Sequence, residues 1–431
     1  MISRRDILKI LGSASAMIYL QSLMGCASKK AEKKFPVEER AKIWKAAGNN
    51  PEEITRRMID SLGGIETLVD KDDIIVLKVN SQWWNQGMTN TDVLKAFIDN
   101  ILASGNFTGE IIIADNHQAK NINSRGWTTA ERNGRFNYNE LVEYFNGRGF
   151  SNVTKYHWNP ASANPTPLQL DGFGDAVRSH PSEGDGYIWP KDLYYECPYG
   201  HRSMLAYPVF TSAYSGTTVD LKNGAFREGE YTGQPVKFFN FSALNHHSRY
   251  AGVTASIKNY MGVVDMSCGY PAPYPEGTFN THHIGASDLF RLLARHQKSL
   301  HNTPFYWDIL LHPSVFRFRY TGGVLGAFMK KIRPADMHFI TAVTVGWGSR
   351  TDVSMAARAN TLLASKDPVA LDYWAAYNIL LKAALDAEAP EYFTRLIDPS
   401  IKSGPLFNFL EECRRELGGT TNPDLMELTE C

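Results

Sequence analysis

Only five of the 431 residues are cysteine, and no two of them stand as C-x-x-C. An iron–sulfur cluster held by this chain's own cysteines is therefore not expected. Net charge is missing too, because 45 Lys and Arg balance 45 Asp and Glu. Nucleic-acid binding, which calls for a basic face, gains no support. The apolar segment Ile10 to Gly25 is too short and too interrupted to read as a membrane span. Internal repeats, low-complexity tracts and an H-E-x-x-H metal motif are all absent. What remains is an ordinary globular composition, 43% hydrophobic and 21% charged, with ample length for a large core. Aromatics reach 12%, a content suited to a ligand cleft or a wet interface.

The first residues carry a location signal. Ser3-Arg4-Arg5-Asp6-Ile7-Leu8-Lys9 resembles a twin-arginine export signal, and Leu23-Met24-Gly25-Cys26 resembles a lipoprotein box. The expectation is cleavage before Cys26, lipidation of its thiol, and stable anchoring by several acyl chains. Residues 1–25 are then an export signal, 26–50 a lipidated tether and lead-in, and 51–431 a single α/β domain. The expected location is the periplasm or the outer face of the cell envelope, at the membrane. An uncleaved anchor helix would keep the protein on the same side. Of the other cysteines, Cys197 and Cys268 form one candidate disulfide in an oxidising compartment.

The pattern along the chain is α/β. A helix is predicted over Glu52 to Leu62, with Ile54, Met58 and Leu62 at four-residue spacing and Gly63-Gly64 beyond its end. Ile74 to Val79 and Glu110 to Ala114 read as buried parallel strands joined by a helix that starts at Thr89 or Thr91. A helix over Tyr138 to Phe145 and a strand over Val153 to Trp158 follow. Residues 120–235 otherwise read as a long aromatic, loop-rich elaboration covering the site. Val236 to Phe241, Met337 to Val345 and Thr361 to Ala364 are further strands. Asp367 and Pro368 form a helix start. Helices are also predicted over Ala286 to Lys298 and Pro405 to Leu417.

Polar residues gather where these strands end. In an open α/β sheet, ligands sit at the carboxyl ends of the strands. Lys78 interrupts an apolar strand, and Asn80 lies two residues on, pointing to the same face. Asp115 and His117 follow the next strand. Asn245, His246 and His247 follow the strand at Val236 to Phe241. Gly252-Val253-Thr254 then opens a predicted helix that carries Lys258, Asn259 and Gly262, and a helix start attracts anions. Asp372 lies one turn into a helix otherwise dominated by apolar residues. Lys78, His247 and Lys258 are the candidate catalytic groups, the lysines to polarise a substrate and the histidine to move protons. Asn80, Asp115, His246, Asn259 and Asp372 are candidate ligand contacts. A divalent metal on His117, His247 and His283 is a minority reading, since zinc suits such N/O ligands but no spaced pair supports it.

Four blocks also carry a resemblance. VLKVN at Val76 to Asn80, IIIADN at Ile111 to Asn116, the stretch Phe239 to Gly262, and ASKDPVALD at Ala364 to Asp372 occur in that order. Together they resemble the bacterial and archaeal family called domain of unknown function 362, over roughly Pro51 to the C-terminus. The family's usual Lys-x-His before the glycine is here Asn245-His246-His247, so that lysine is absent. Many relatives are joined to ferredoxin-like segments, which implies a redox protein as a partner. Two readings of function stand. One is an anchored protein that binds or acts on a small anionic ligand. The other is a non-catalytic accessory or binding lipoprotein for a membrane redox or cofactor-assembly system.

Overall fold

Ile74, Ile75, Val76 and Leu77 put apolar side chains on both faces of their strand, so both faces need cover. The computed structural model supplies that cover from two helical layers. It describes residues 36–116, 125–158, 177–178, 180–190, 192–197, 202–247, 251–264, 277–278 and 320–431. Cys26, Cys268, His117, His283 and the helix expected over Ala286 to Lys298 lie outside the described residues.

In chain order the first strands and helices are β1 (Ala41–Ala47), α1 (Pro51–Ser61), β2 (Ile74–Lys78), α2 (Thr91–Ala103), β3 (Glu110–Asn116), α3 (Tyr138–Gly147) and β4 (Val153–Trp158). The short strands β5 (Val177–Arg178), β6 (Gly186–Ile188), β7 (Tyr194–Glu196), β8 (Arg202–Met204), β9 (Tyr207–Thr211), β10 (Thr218–Asp220), β11 (Gly224–Arg227) and β12 (Glu230–Tyr231) follow. Next come β13 (Val236–Ser242), β14 (Asn245–His246), β15 (Val253–Thr254), the one-turn helix α4 (Ser256–Asn259) and β16 (Gly277–Thr278). The last group is α5 (Thr321–Lys331), β17 (Met337–Gly346), β18 (Ala356–Ser365), α6 (Pro368–Ala375), a π-helix (Ala376–Leu381), α7 (Lys382–Asp386), α8 (Glu391–Ile397), α9 (Pro405–Leu417) and β19 (Met426–Glu430).

The main sheet runs β19-β1-β18-β17-β13-β2-β3-β4, with β14 and β15 as a side branch on β17. Pairing from β17 through β13, β2 and β3 to β4 is parallel, while β18 is antiparallel to both β1 and β17. The fold is α/β, and its sheet is mostly parallel. β1 forms a sheet strand within the stretch expected to be lead-in.

Side-chain alternation divides the core. Ile75, Leu77, Ile111, Ile113, Phe239, Phe241 and Phe339 face α1, α2 and α3. Phe97 of α2 fills this face, its ring 5.3 Å from Phe239, 5.0 Å from Phe241 and 5.5 Å from Phe339. Ile74, Val76, Ile112, Phe238 and Ile340 face α4, α5, α6 and α9. Among the described residues no helix is long and apolar enough to cross a membrane.

The described part of the loop-rich elaboration carries short strands: β12-β11-β10-β9-β6-β5 form a six-stranded sheet, and β8 and β7 form a three-stranded one with β16 from further along the chain. Its strands are three to five residues long or shorter, too brief for a clear period-2 signal. Its described part packs along β4, where Tyr156 and Trp158 meet Phe210, and at the start of β3, where Glu110 accepts from Ser215. Glu110 lies at the amino end of β3, whereas Trp158 lies beside Asn116 at its carboxyl end. The helix expected from Gly252 onward needs correction. Val253 and Thr254 instead pair with His246 and Asn245 as a hairpin, and α4 starts only at Ser256. Gly252 makes the predicted tight approach, with φ of 73° and Leu396 O only 2.3 Å from where a Cβ would sit.

Candidate functional site

Lys78 ends β2 with no exposed surface. A buried ammonium needs acceptors for all three of its hydrogens. It has them: Asp115 Oδ1 at 2.9 Å, Asn259 Oδ1 at 2.6 Å and the Val79 carbonyl. Asp115 in turn accepts Ser81 N–H and Ser81 Oγ–H at 2.7 Å each, and its own neighbour Asn116 N–H at 2.9 Å. Burial pushes the Lys78 ammonium down and the Asp115 carboxyl up, and their mutual attraction opposes both shifts. Gly262 lies over the pair. A Cβ there would stand 1.9 Å from Asp115 Oδ1 and 2.6 Å from Lys78 Nζ, so only glycine fits.

The network continues inward. Asn259 Nδ2 donates to Asn240 Oδ1 at 2.7 Å and to the Phe241 carbonyl at 3.1 Å. Asn240 Nδ2 donates to the Ser256 carbonyl at 2.8 Å and meets His338 Nδ1 at 2.9 Å. His338 therefore accepts at Nδ1 and is neutral, and burial holds its pKa down at about 3. Asn80 Oδ1 accepts Ala243 N–H at 2.7 Å and so ties β2 to the end of β13. Asn116 Nδ2 donates to the carbonyls of Met261 and Val264, closing the far side of α4.

Asp372 explains itself the same way. From α6 it accepts Ser256 N–H at 2.8 Å, Ser256 Oγ–H at 2.5 Å and Ile257 N–H at 3.0 Å. The start of α4 was expected to draw an external anion, and it holds an internal carboxylate instead. Burial raises that carboxyl to about 7, against the pull of its donors.

The more open side of the shelf is cationic. Arg350, after the end of β17, donates from Nη1 to His247 Nδ1 at 3.2 Å, and its guanidinium lies 4.2 Å from the Trp83 ring centre. A guanidinium only donates, so any proton of a neutral His247 sits on Nε2. Thr254 Oγ1 lies 3.4 Å from the same Nδ1. Arg125 approaches Trp83 as well, at 4.8 Å, and donates to the Gln82 carbonyl at 3.0 Å. Among the described residues neither guanidinium forms an ion pair with a carboxylate. Burial and then repulsion from Arg125 bring Arg350 down to about 10, still charged at neutral pH. Burial lowers Arg125 too.

His246 sits edge-on to Phe393 at 5.1 Å, and burial followed by Arg350 repulsion lowers it to about 4. Lys258 is buried on α4 beside Asn259. The structure thus joins Lys78, Asp115 and Asn259 directly, sets Asp372 under the same helix, and puts His247 with Arg350. Among the described residues no three His, Cys, Asp or Glu side chains are grouped to hold a metal. Cys197 is buried.

Sequence reasoning missed Arg350, Arg125, Asn240 and His338. Arg350 was within reach, since it follows β17 and the carboxyl-end rule had been applied to three other strands. Asn240 and His338 sit inside apolar runs, where polar residues read as interruptions. Nothing near Arg125 marks it.

No curated protein and no solved structure matches the chain. Residues 236–377, which carry Asn240, His247, Lys258, Asn259, Arg350 and Asp372, match the family model described as domain of unknown function (DUF362), and this supports the chain's kinship with that family.

Proposed function

We propose that this is an exported, membrane-anchored α/β protein, lipidated at Cys26, that binds or acts on a small anionic ligand at the carboxyl ends of its parallel strands. One observation carries the reading. Arg350 is a half-buried guanidinium in contact with His247 and Trp83, and no carboxylate faces it among the described residues. Proteins rarely retain a partly desolvated cation without a counter-charge, unless a ligand supplies one. Arg125 adds a second guanidinium against the same ring.

In this reading Arg350 and Arg125 hold the anion, and His247, its Nδ1 engaged by Arg350, moves a proton at Nε2. Lys258 adds positive charge from α4. Lys78, Asp115, Asn259 and Asp372 fix that helix from beneath, as positioning residues, because their polar atoms are already occupied. Asn80 and His246 line the sides.

The test is binding and turnover compared in His247→Ala and Lys258→Ala. Loss of turnover with affinity kept supports an enzyme. Loss of affinity with no reaction in the wild type supports a binding protein. Retention of both overturns the site. A second reading, an accessory protein with a redox partner, is favoured by one observation: Tyr377 of the π-helix, Leu385 of α7 and Tyr392 of α8 are 47%, 60% and 48% exposed. Substitutions there that cost a partner, and not a ligand, would support it.

A further inference from the structure

Beside Arg350 the structure holds a group of buried polar atoms with no partner. Asn245 has no exposed surface, and among the described residues neither its Oδ1 nor its Nδ2 makes a hydrogen bond. Gln86 Nε2 donates to the carbonyls of Ser349 and Asp352, at 3.0 and 2.7 Å, but its Oε1 is also unpartnered. The two amides flank Gly346, where an added Cβ would stand 2.8 Å from Gln86 Cγ and 3.1 Å from Asn245 Cβ. Gly87 in turn packs on the Arg350 backbone and on Trp83, with a Cβ there 2.5 Å from Arg350 O and 2.7 Å from Trp83 Cβ. Gln86 thus packs on the segment that carries Arg350, and Asn245 lies beside Gly346 at the start of that segment.

Buried polar groups are nearly always paired, so three unpartnered amide atoms around Gly346 require a reason. Their chemistry narrows it. Asn245 Oδ1 and Gln86 Oε1 are acceptors. An ionised carboxylate or phosphate has only acceptors to offer, so an anion alone leaves both unsatisfied. Asn245 Nδ2 is a donor beside them. A group that donates and accepts at once, a hydroxyl or a carboxamide, satisfies the set.

We infer that the ligand is an organic acid that also carries a neutral hydroxyl or carboxamide group, with Arg350 reading its acid and Asn245 and Gln86 its neutral group. This rests on the anion reading of the shelf. A site built to hydrogen-bond a substrate group rejects the analogue that lacks it far more strongly than a missing methylene.

The experiment is calorimetric titration of the full chain with succinate, malate, succinamate and inorganic phosphate, in the wild type and in Asn245→Leu. Malate or succinamate is expected to bind the wild type on the order of tenfold or more tighter than succinate. In Asn245→Leu that preference disappears, and without ligand the variant melts no lower than the wild type, because no hydrogen bond has been removed. Equal affinity for succinate, malate and succinamate in the wild type overturns the inference and leaves the anion reading standing. An Asn245→Leu variant that melts lower or fails to fold shows a structural role for the amide and also overturns it. Absence of binding by all four probes overturns both.

Discussion

Asp372 accepts the backbone N–H of Ser256 at 2.8 Å, so the helix carrying Lys258 and Asn259 is capped by a carboxylate 116 residues away. A one-turn helix cannot hold itself, since nucleation costs more than one turn returns. Its position is borrowed from α6. Asp372→Ala leaves two backbone N–H groups and a hydroxyl without their acceptor. The expected loss is about 2–4 kcal/mol, measured by urea unfolding, with a smaller loss for Asp372→Asn.

The same residue predicts a pH dependence. Its folded pKa is about 7, against an unfolded carboxyl near ~3.9. The folded state then holds the proton more tightly. The resulting stabilisation is fully present below about pH 4 and is lost as pH rises through about 7, by roughly 4 kcal/mol. His338 and His246, held down at about 3 and 4, act in the opposite direction. Their contribution is present above the ordinary imidazole range and is lost as pH falls through their folded values. The wild-type profile therefore mixes opposing slopes. The diagnostic quantity is the difference between wild type and Asp372→Asn, which should shrink with rising pH between about 4 and 7.

His246 and His338 should remain neutral through pH 5, where an unperturbed imidazole with a pKa near ~6.5 is mostly charged. Nitrogen-15 chemical shifts of the two rings, followed from pH 8 to 4, check this. An imidazolium signal from His338 at pH 5.5 would contradict the burial that sets its pKa.

Gly262 shields the Lys78–Asp115 pair, and Gly262→Ala puts a methyl group 1.9 Å from Asp115 Oδ1. That contact forces backbone or ion pair to move, at an expected cost of about 3 kcal/mol or more. Lys78→Met leaves Asp115 with its Ser81 and Asn116 donors but no cation, at about 3–5 kcal/mol. The double variant Lys78→Met with Asp115→Asn should cost less than the sum of its parts, because no lone charge remains buried. Denaturant midpoints decide between these outcomes. Equal and additive losses would mean that the two charges do not depend on each other.

Arg350→Met separates binding from folding. The guanidinium makes no ion pair with a carboxylate among the described residues, so its removal should leave the melting temperature of the unliganded protein unchanged or slightly higher. Thermal stabilisation by phosphate or a carboxylate, present in the wild type, should vanish. Arg350→Lys should retain part of it, since the charge stays while the planar fork is lost.

Much of the sheet was legible before any coordinates. The apolar run at Ile74, the largely aromatic run from Val236, and the Asp367-Pro368 helix start report local rules: burial on both faces, a cap, a preset φ. α9 turned Leu406, Phe409, Leu410 and Cys413 inward as its spacing predicted. The short strands of the elaboration and the strands β1 and β19 escaped, because two to seven residues carry too little pattern and their pairing partners lie far off in sequence. The hairpin at Thr254 escaped for the same reason, since its strand character comes from Asn245 rather than from its own residues.

The sequence by itself determined that polar residues would interrupt the ends of apolar strands, because side-chain type and order are all such a reading needs. Only the tertiary structure decided what each one faces. Hydrogen bonds are directional and reach about 3 Å, so Lys78, Asn259 and Asp372 found internal partners from distant segments. Among the described residues, Arg350 at the same strand ends meets His247 but no carboxylate, and the Asn245 amide meets no partner.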